Sequence, residues 1–267
     1  MNQTNQRFSG RVAIVTGSTQ GLGEALLHRL ADEGLAGALV TGRDHDRGAA
    51  VVDRLAAKGC EAIFLAVDLA VADSVASIVP AAEDHFGVID HLANCAAMTD
   101  RGDVWDTTPE LFDMMMAVNL RAPFQLIQDV ARLARKNGRP ATVVNIGSVA
   151  GYGGPPFITP YSISKGGLTI MTKSFASQLM RDRVRVVQVN PGWMDTPGED
   201  AIQRKYHGAT DGWLERAEAS RPFGRLIKPA ELVTTLAFVL SDESGMMTGA
   251  IIDYDQTIQG TGDADTA

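Results

Sequence analysis

Residues Arg11–Gly23 read RVAIVTGSTQGLG, a short β-branched run over Arg11–Thr16 that ends at once in a glycine-rich turn. Glu24–Glu33 follows, with Ala25, Leu26, Leu30 and Ala31 on one stripe at helical spacing and Gly34 to close it. Strand, glycine turn and helix together open a parallel α/β sheet. Glycine lets the backbone turn tightly and approach a diphosphate, while the N–H groups of the helix's first turn face its negative charge. A glycine pattern alone is a weak signal, because any sharp strand-to-helix turn favours Gly. Here it follows the first strand and opens the first helix, as dinucleotide binding requires.

The alternation continues along the chain. Ala38–Thr41, Ala62–Val67, Val88–Asn94, Thr142–Ile146, Val184–Val189 and Ala250–Tyr254 read as strands. Asp44–Lys58, Asp73–Phe86, Asp106–Arg135, Ser162–Met180 and Pro229–Leu240 read as helices, with Asp44 as an N-cap. Pro109 lies near the start of the long 106–135 helix, and Pro123 is expected to kink it or restart it as two collinear pieces. The strands are continuous apolar runs, so both faces of the sheet are covered. The expectation is one domain over residues 1–267: a doubly wound parallel seven-stranded sheet with helices on both faces and a core at 11–254. A polar substrate flap at about 194–222 and a loose Gly/Asp/Thr-rich tail at 259–267 complete it.

Composition narrows the function. The 267 residues are 45% hydrophobic and 21% charged, which suits a globular protein and excludes a disordered one. A net charge of −8 opposes broad attraction to nucleic acid or anionic membrane. The N-terminal stretch MNQTNQRFSG has no signal-like apolar region, and no run is long enough for a membrane span, so a cytoplasmic protein is expected. Cys60 and Cys95 cannot build a disulfide scaffold or a four-ligand zinc site, and the five histidines are scattered, so no metal is expected.

The reacting groups sit further along. Tyr161 and Lys165 are four apart, hence adjacent on one helical face. A free tyrosine has a pKa of about 10, so a base active near neutrality needs about 3–4 kcal/mol of preferential phenolate stabilisation. A neighbouring ammonium plus an oxidised nicotinamide can supply it. Thirteen residues before Tyr161, at the end of the fifth strand, stands Ser148 in Asn145-Ile146-Gly147-Ser148, on the side of the sheet that faces the ligand crevice.

The Thr16-Gly17-x-x-x-Gly21-x-Gly23 spacing, with Ser148 and the Tyr161/Lys165 pair, resembles the short-chain dehydrogenase/reductase family from about Arg11 to Tyr254. The resemblance implies a Rossmann-like fold in which Ser148 hydrogen-bonds the substrate oxygen and Tyr161 exchanges its proton. Lys165 would lower the Tyr161 pKa and hold the nicotinamide ribose. Asn119 matches the fourth catalytic position; its amide would distort the long helix and hold a water linking Lys165 to solvent. The same resemblance places the cofactor on Gly17, Thr19, Gln20, Gly21, Leu22 and Gly23, on Asp68 and Leu69 at the adenine, and on Asn94 and Ala96. Gly192, Met194 and Thr196 would meet the carboxamide or diphosphate. Two departures stand out: Asn94-Cys95-Ala96-Ala97 replaces the family's Asn-Asn-Ala-Gly, and Asp253-Tyr254-Asp255-Gln256 replaces Asp-Gly-Gly.

After the second strand, Gly42 occupies the place where NAD-preferring relatives carry Asp, and Arg43 follows. Arg43 either forks onto a 2′-phosphate or is a solvated turn arginine partly neutralised by Asp44. The reading leans to NADP(H) over NAD(H). Ser148, Tyr152, Tyr161 and Trp193 are the candidate substrate residues, and the flap adds Gln203, Arg204, Lys205, Tyr206, His207 and Trp213. The expected activity is interconversion of a secondary alcohol and a ketone on a small polar substrate of sugar or polyol type. Alternatives are a 3-oxoacyl-thioester reductase and a catalytically idle dinucleotide-binding regulator. Family resemblance also implies a homotetramer, or a homodimer, formed through helices that here carry Phe124, Leu126, Ile127, Ile170, Met171 and Phe175.

Overall fold

Short apolar runs become β1 (Val12–Thr16), β2 (Gly37–Gly42), β3 (Glu61–Ala66), β4 (His91–Asn94), β5 (Ala141–Ile146), β6 (Val184–Pro191) and β7 (Ile251–Tyr254) in a computed structural model. It describes residues 6–261, so positions 262–267 of the expected tail lie outside the described residues. Every strand pair is parallel, and the order is β3-β2-β1-β4-β5-β6-β7. The expected seven-stranded, doubly wound sheet is therefore present. Chain order reverses between β1 and β4, where connections leave to opposite faces and a crevice opens at the strands' carboxyl ends.

The helices are α1 (Gly21–Asp32), α2 (His45–Ala56), α3 (Ala72–Ala76), α4 (Ile78–Phe86), α5 (Pro109–Met116), α6 (Ala122–Asn137), α7 (Thr159–Leu179), α8 (Pro197–His207), α9 (Trp213–Ala219) and α10 (Pro229–Leu240). Leu26 and Leu30 of α1, Val51 and Leu55 of α2 and Leu232 and Leu236 of α10 bury one sheet face. Ile78 of α4, Leu126 and Val130 of α6 and Leu168 of α7 bury the other. Each such side chain contributes about 1.5–3 kcal/mol by leaving water.

Four elements differ from the sequence expectation. Asp73–Phe86 is two helices, because the Ser77 hydroxyl donates back to the Ser74 carbonyl at 2.8 Å and ends α3. The long 106–135 helix starts only at Pro109, where Thr108 caps α5, and a π-helical turn at Ala117–Arg121 separates α5 from α6. Pro123 therefore sits in the first turn of a restarted helix, where its missing N–H costs nothing. The third difference is that α7 begins at Thr159, which places Tyr161 inside its first turn. Finally, the polar flap expected at about 194–222 is largely helical: it forms α8 and α9, Trp213 is buried, and its Nε1 donates to Asp200 at 2.6 Å.

Candidate active site

The crevice at the β1/β4 switch is lined first by the glycine turn. Gly17 has φ +62°, and a Cβ there would stand 2.8 Å from the Ala96 Cα; one on Gly23 would stand 2.6 Å from the Gly17 carbonyl oxygen. Backbone thus packs on backbone, which only glycine permits. The N-cap residue of α1, Gln20, makes no side-chain cap, and its side chain accepts from Arg47 instead. The first-turn N–H groups of α1 are left for a ligand. Close approach plus uncapped donors fits a diphosphate. Across the crevice, Thr196 Oγ1 caps α8 by accepting from Glu199 N at 3.1 Å, and a Cβ on Gly21 would come within 3.9 Å of the Thr196 Cβ. Gly192 N donates to Tyr254 O at 3.0 Å and Met194 bridges to Ile227, so this segment is held by the backbone.

At the adenosine end, a Cβ on Gly42 would lie 2.5 Å from Thr19 Cγ2, so an aspartate does not fit there while Thr19 stands. Arg43 is exposed and has no hydrogen bond or ion pair among the described residues. Asp44 does not neutralise it. Its carboxylate caps α2 through Arg47 N at 3.0 Å and pairs with Arg47 Nε at 2.9 Å. Asp68 is exposed at the end of β3 and accepts from Ala70 N at 2.9 Å, beside the partly buried Leu69.

The reacting groups converge at the ends of β4 and β5. Ser148 caps the turn Val149–Tyr152, accepting from Ala150 N at 3.1 Å, and its hydroxyl lies near enough to the Tyr161 phenol to favour the phenolate. Lys165 is 2% exposed; its Nζ donates to Ile146 O at 2.7 Å and lies 5.6 Å from the Tyr161 ring centroid. Burial lowers the Lys165 pKa to about 8. Burial likewise pushes Tyr161 up to about 12, with the nearby Ser148 hydroxyl acting the other way. At neutral pH the phenol therefore holds its proton. Lys165, expected to lower the Tyr161 pKa, sits 5.6 Å from the Tyr161 ring centroid with one of its three donors on the Ile146 carbonyl.

Asn119 lies in the π-helical turn, fully buried. Oδ1 accepts from Met98 N at 2.8 Å, while Nδ2 donates to Met98 O at 2.9 Å and to Ser164 Oγ at 3.1 Å. Ser164 Oγ in turn donates to the Tyr161 carbonyl at 2.7 Å. Asn119 thus ties the loop after β4 to the Tyr161 turn of α7. The loop is held at its other end too: Gly102 N donates to Phe157 O at 2.9 Å, and Thr159 N to Gly102 O at 3.1 Å.

Beneath the site runs a chain of buried polar side chains. Asn94 donates to Asn145 Oδ1 at 2.8 Å and Asn145 to Thr172 Oγ1 at 2.9 Å; Thr172 donates to Gln188 Oε1 at 3.1 Å. Gln188 Nε2 donates to Asn190 Oδ1 at 2.7 Å, and Asn190 Nδ2 to Asp253 Oδ1 at 2.9 Å. Tyr152 OH donates to the same carboxylate oxygen at 3.0 Å, so it braces the ends of β6 and β7. Asn94 Oδ1, with no partner and sealed from solvent, is the acceptor this chain leaves open.

In the wall formed by the pinned loop and α8, the sequence points to Gln203, Lys205, Tyr206, His207 and Trp193 but not to Asp100, Arg101 or Glu199. Arg101 donates through Nε to His207 Nε2 at 3.0 Å and through Nη1 to Thr99 O at 2.9 Å. Glu199 Oε1 accepts from Trp193 Nε1 at 2.8 Å and Gln203 Nε2 at 2.7 Å. Asp100 pairs with Lys205 at 2.8 Å and accepts from the Tyr206 hydroxyl. Both cysteines are poor thiolates: burial pushes Cys60 up to about 11 and Cys95 up to about 12.

A family model described as Enoyl-(Acyl carrier protein) reductase matches residues 17–257. The 3-oxoacyl-[acyl-carrier-protein] reductase FabG of Thermotoga maritima is 32% identical over 253 residues, 93% of this chain and 98% of that protein. L-xylulose reductase of Bos taurus is 32% identical over 250 residues, 93% and 96% of the two chains. The crystal structure of an actinorhodin polyketide ketoreductase variant with NADPH superposes with a TM-score of 0.86 at 27% identity, covering 94% and 97%.

Proposed function

The chain belongs to the short-chain dehydrogenase/reductase family and is an NAD(P)-dependent oxidoreductase of CH–OH groups, and from that premise we propose that it reduces a 3-oxoacyl-type ketone with NADPH. The carrying observation is the grouping of Tyr161 with Ser148 and with the buried Lys165, whose Nζ lies 5.6 Å from the Tyr161 ring centroid, with burial keeping the proton on the phenol at neutral pH. A protonated phenol is ready to donate to an oxygen on which negative charge develops, as ketone reduction requires. Ser148 orients that oxygen. Lys165 uses one of its three donors on Ile146, which leaves two for the ribose hydroxyls. The nicotinamide, when bound, supplies the hydride.

The glycine turn, Thr19, Gln20, Leu22, Asp68, Leu69, Asn94, Ala96, Gly192, Met194 and Thr196 form the cofactor surface in this reading. Arg43 supports NADP(H), being an unpaired guanidinium beside a position where Asp does not fit. Among the relatives, the acyl-carrier and polyketide reductases move the weight from a sugar or polyol substrate to the 3-oxoacyl alternative. The charged wall at Arg101 and Glu199, together with the likeness to L-xylulose reductase, favours a hydroxylated ketone as the second reading. Exposed Phe124 and Ile170, on α6 and α7, support assembly as a homotetramer. The test is consumption of NADPH with 3-oxobutanoyl-N-acetylcysteamine and with L-xylulose. Reduction of the thioester, abolished in Tyr161→Phe, is expected; turnover of the sugar alone would select the second reading.

A further inference from the structure

The wall formed by the loop after β4 and α8 contains a charge pair that is not closed. Arg101 and Glu199 have side chains only 14% and 16% exposed, yet Arg101 Nη2 and Glu199 Oε1 are 3.8 Å apart, too far for a hydrogen bond. Arg101 is anchored through its other nitrogens, and Glu199 through Oε1 alone. Among the described residues nothing bonds to Arg101 Nη2 or Glu199 Oε2, and neither atom is sealed from solvent. These are a donor and an acceptor on anchored side chains, open to a ligand.

Their placement is what gives them a use. Arg101 sits between Met98, clamped by Asn119, and Gly102, clamped by Phe157 and Thr159, two residues before Tyr161. Its guanidinium also lies over the Phe157 ring, 5.5 Å from the centroid. Glu199 comes from the first turn of α8 on the opposite side. Both charges act on the Tyr161 phenol, Glu199 raising its pKa and Arg101 lowering it. The neighbouring ionic groups are spent: Asp100 on Lys205 and Tyr206, Asp200 on Arg204 and Trp213. The open pair is net neutral, so it suits a neutral polar group better than an anion, which Glu199 would repel.

We propose that Arg101 determines substrate specificity by donating from Nη2 to a second, uncharged oxygen on the carbon chain beside the reacting carbonyl, and that Glu199 excludes carboxylates from that position. An ester or thioester carbonyl, or a hydroxyl, meets that requirement; a free 3-oxo acid does not. The inference rests on the ketone-reductase reading and narrows it.

The test compares three ketones under NADPH: ethyl 3-oxobutanoate, 3-oxobutanoate and cyclohexanone, which has no second oxygen. The unaltered enzyme should favour the ester over the acid by roughly tenfold or more in kcat/KM. Arg101→Met should lose roughly 10–100-fold on the ester, the worth of one hydrogen bond to a charged group, and less than about threefold on cyclohexanone. Glu199→Gln should raise the acid relative to the ester by roughly tenfold, and it guards against a loop disturbed by the Arg101 change. NADPH affinity, followed by its fluorescence, should stay within about twofold in both variants. Equal losses on ester and cyclohexanone, or an unchanged ester-to-acid ratio in Glu199→Gln, overturn the proposal. If the unaltered enzyme reduces none of the three, the ketone-reductase reading fails, and calorimetric titration of the NADP+-loaded protein decides separately. Ester binding that Arg101→Met removes then upholds the oxygen-reading role, and absence of ester binding ends it. A hydroxyketone run beside the ester distinguishes the two oxygen sources.

Discussion

Replacement of Arg43 by Ala tests the cofactor preference where the structure is most specific. Arg43 is exposed, and its one acidic neighbour, Asp44, is already bound by Arg47 through backbone and side chain. No ion pair has to be broken for the guanidinium to reach a 2′-phosphate. A charge-assisted hydrogen bond at a ligand is worth about 1.5–3 kcal/mol, which corresponds to roughly 10–150-fold in affinity. Exposure to solvent puts the expected loss toward the lower end. Calorimetric titration should show NADPH binding weakened by about tenfold or more in Arg43→Ala and NADH binding unchanged, with the difference shrinking as salt is raised. The partner substitution has a worked sign as well. Gly42→Asp alone should fail to improve NADH binding, because its Cβ would meet Thr19 Cγ2 at 2.5 Å and Oγ1 at 2.7 Å. Gly42→Asp combined with Thr19→Ala removes both close contacts and should gain NADH affinity that neither change gives alone. NADH bound as tightly as NADPH by the unaltered protein, or an Arg43→Ala variant that binds NADPH normally, refutes the argument.

Tyr161→Phe removes the proton donor and should lower kcat by on the order of 10²–10⁴-fold with NADPH affinity retained, as steady-state kinetics and fluorescence titration would show. Asn119→Leu leaves Met98 N–H and C=O without their partners at about 1–3 kcal/mol each, so the urea midpoint should fall and turnover with it. His91 is buried with both ring nitrogens unpartnered, and burial lowers its pKa to about 4. The unfolded chain takes up that proton below about 6.5, so stability is lost as pH falls from about 6.5 toward 4, by up to about 3 kcal/mol. His91→Phe should flatten this slope in urea titrations between those pH values; an unchanged slope would assign the acid sensitivity to other groups.

Periodicity and turn chemistry were enough to read the sheet, because buried parallel strands leave continuous apolar runs and the helices between them carry clear stops such as Gly87 and Gly138. What stayed illegible depends on contacts distant in sequence. The Ser77 break is a hydroxyl bonding back to Ser74, and the α7 start at Thr159 includes a proline that reads as a stop. Asn119 was picked out correctly as the place where the long helix distorts, but its amide partner, Met98, lies on another segment. Arg101 carried no signal of its own: it is one basic residue in a polar loop, and only α8 folding across the cleft shows which of its nitrogens are left over. Tyr161 was read for its acidity from its neighbour Lys165; the burial that pushes its pKa up comes from segments distant in sequence.

The polar row through the middle of the sheet has a cost that apolar residues would avoid, and its position explains why it stands. Asn94, Asn145 and Gln188 are aligned in register across β4, β5 and β6, and Asn190 faces Asp253 two residues on. Each unsatisfied buried amide costs about 1–3 kcal/mol, so the row is tolerable only because its members bond to one another. Valines there would pack without that risk. They would also remove, beyond the backbone ladder, one constraint on how each strand end sits against its neighbour, and every one of those ends carries part of the site. β4 leads to the Arg101 loop, β5 to Ser148, β6 to the Gly192–Thr196 segment, and β7 to the carboxylate that holds Tyr152. A hydrogen bond of fixed length between side chains sets the relative height of two strand ends as apolar contact does not, since dispersion varies little over a few tenths of an ångström. The row therefore trades packing stability for alignment of Ser148, Tyr161 and the loop that faces them, at the one edge of the sheet where such alignment decides whether a proton can pass.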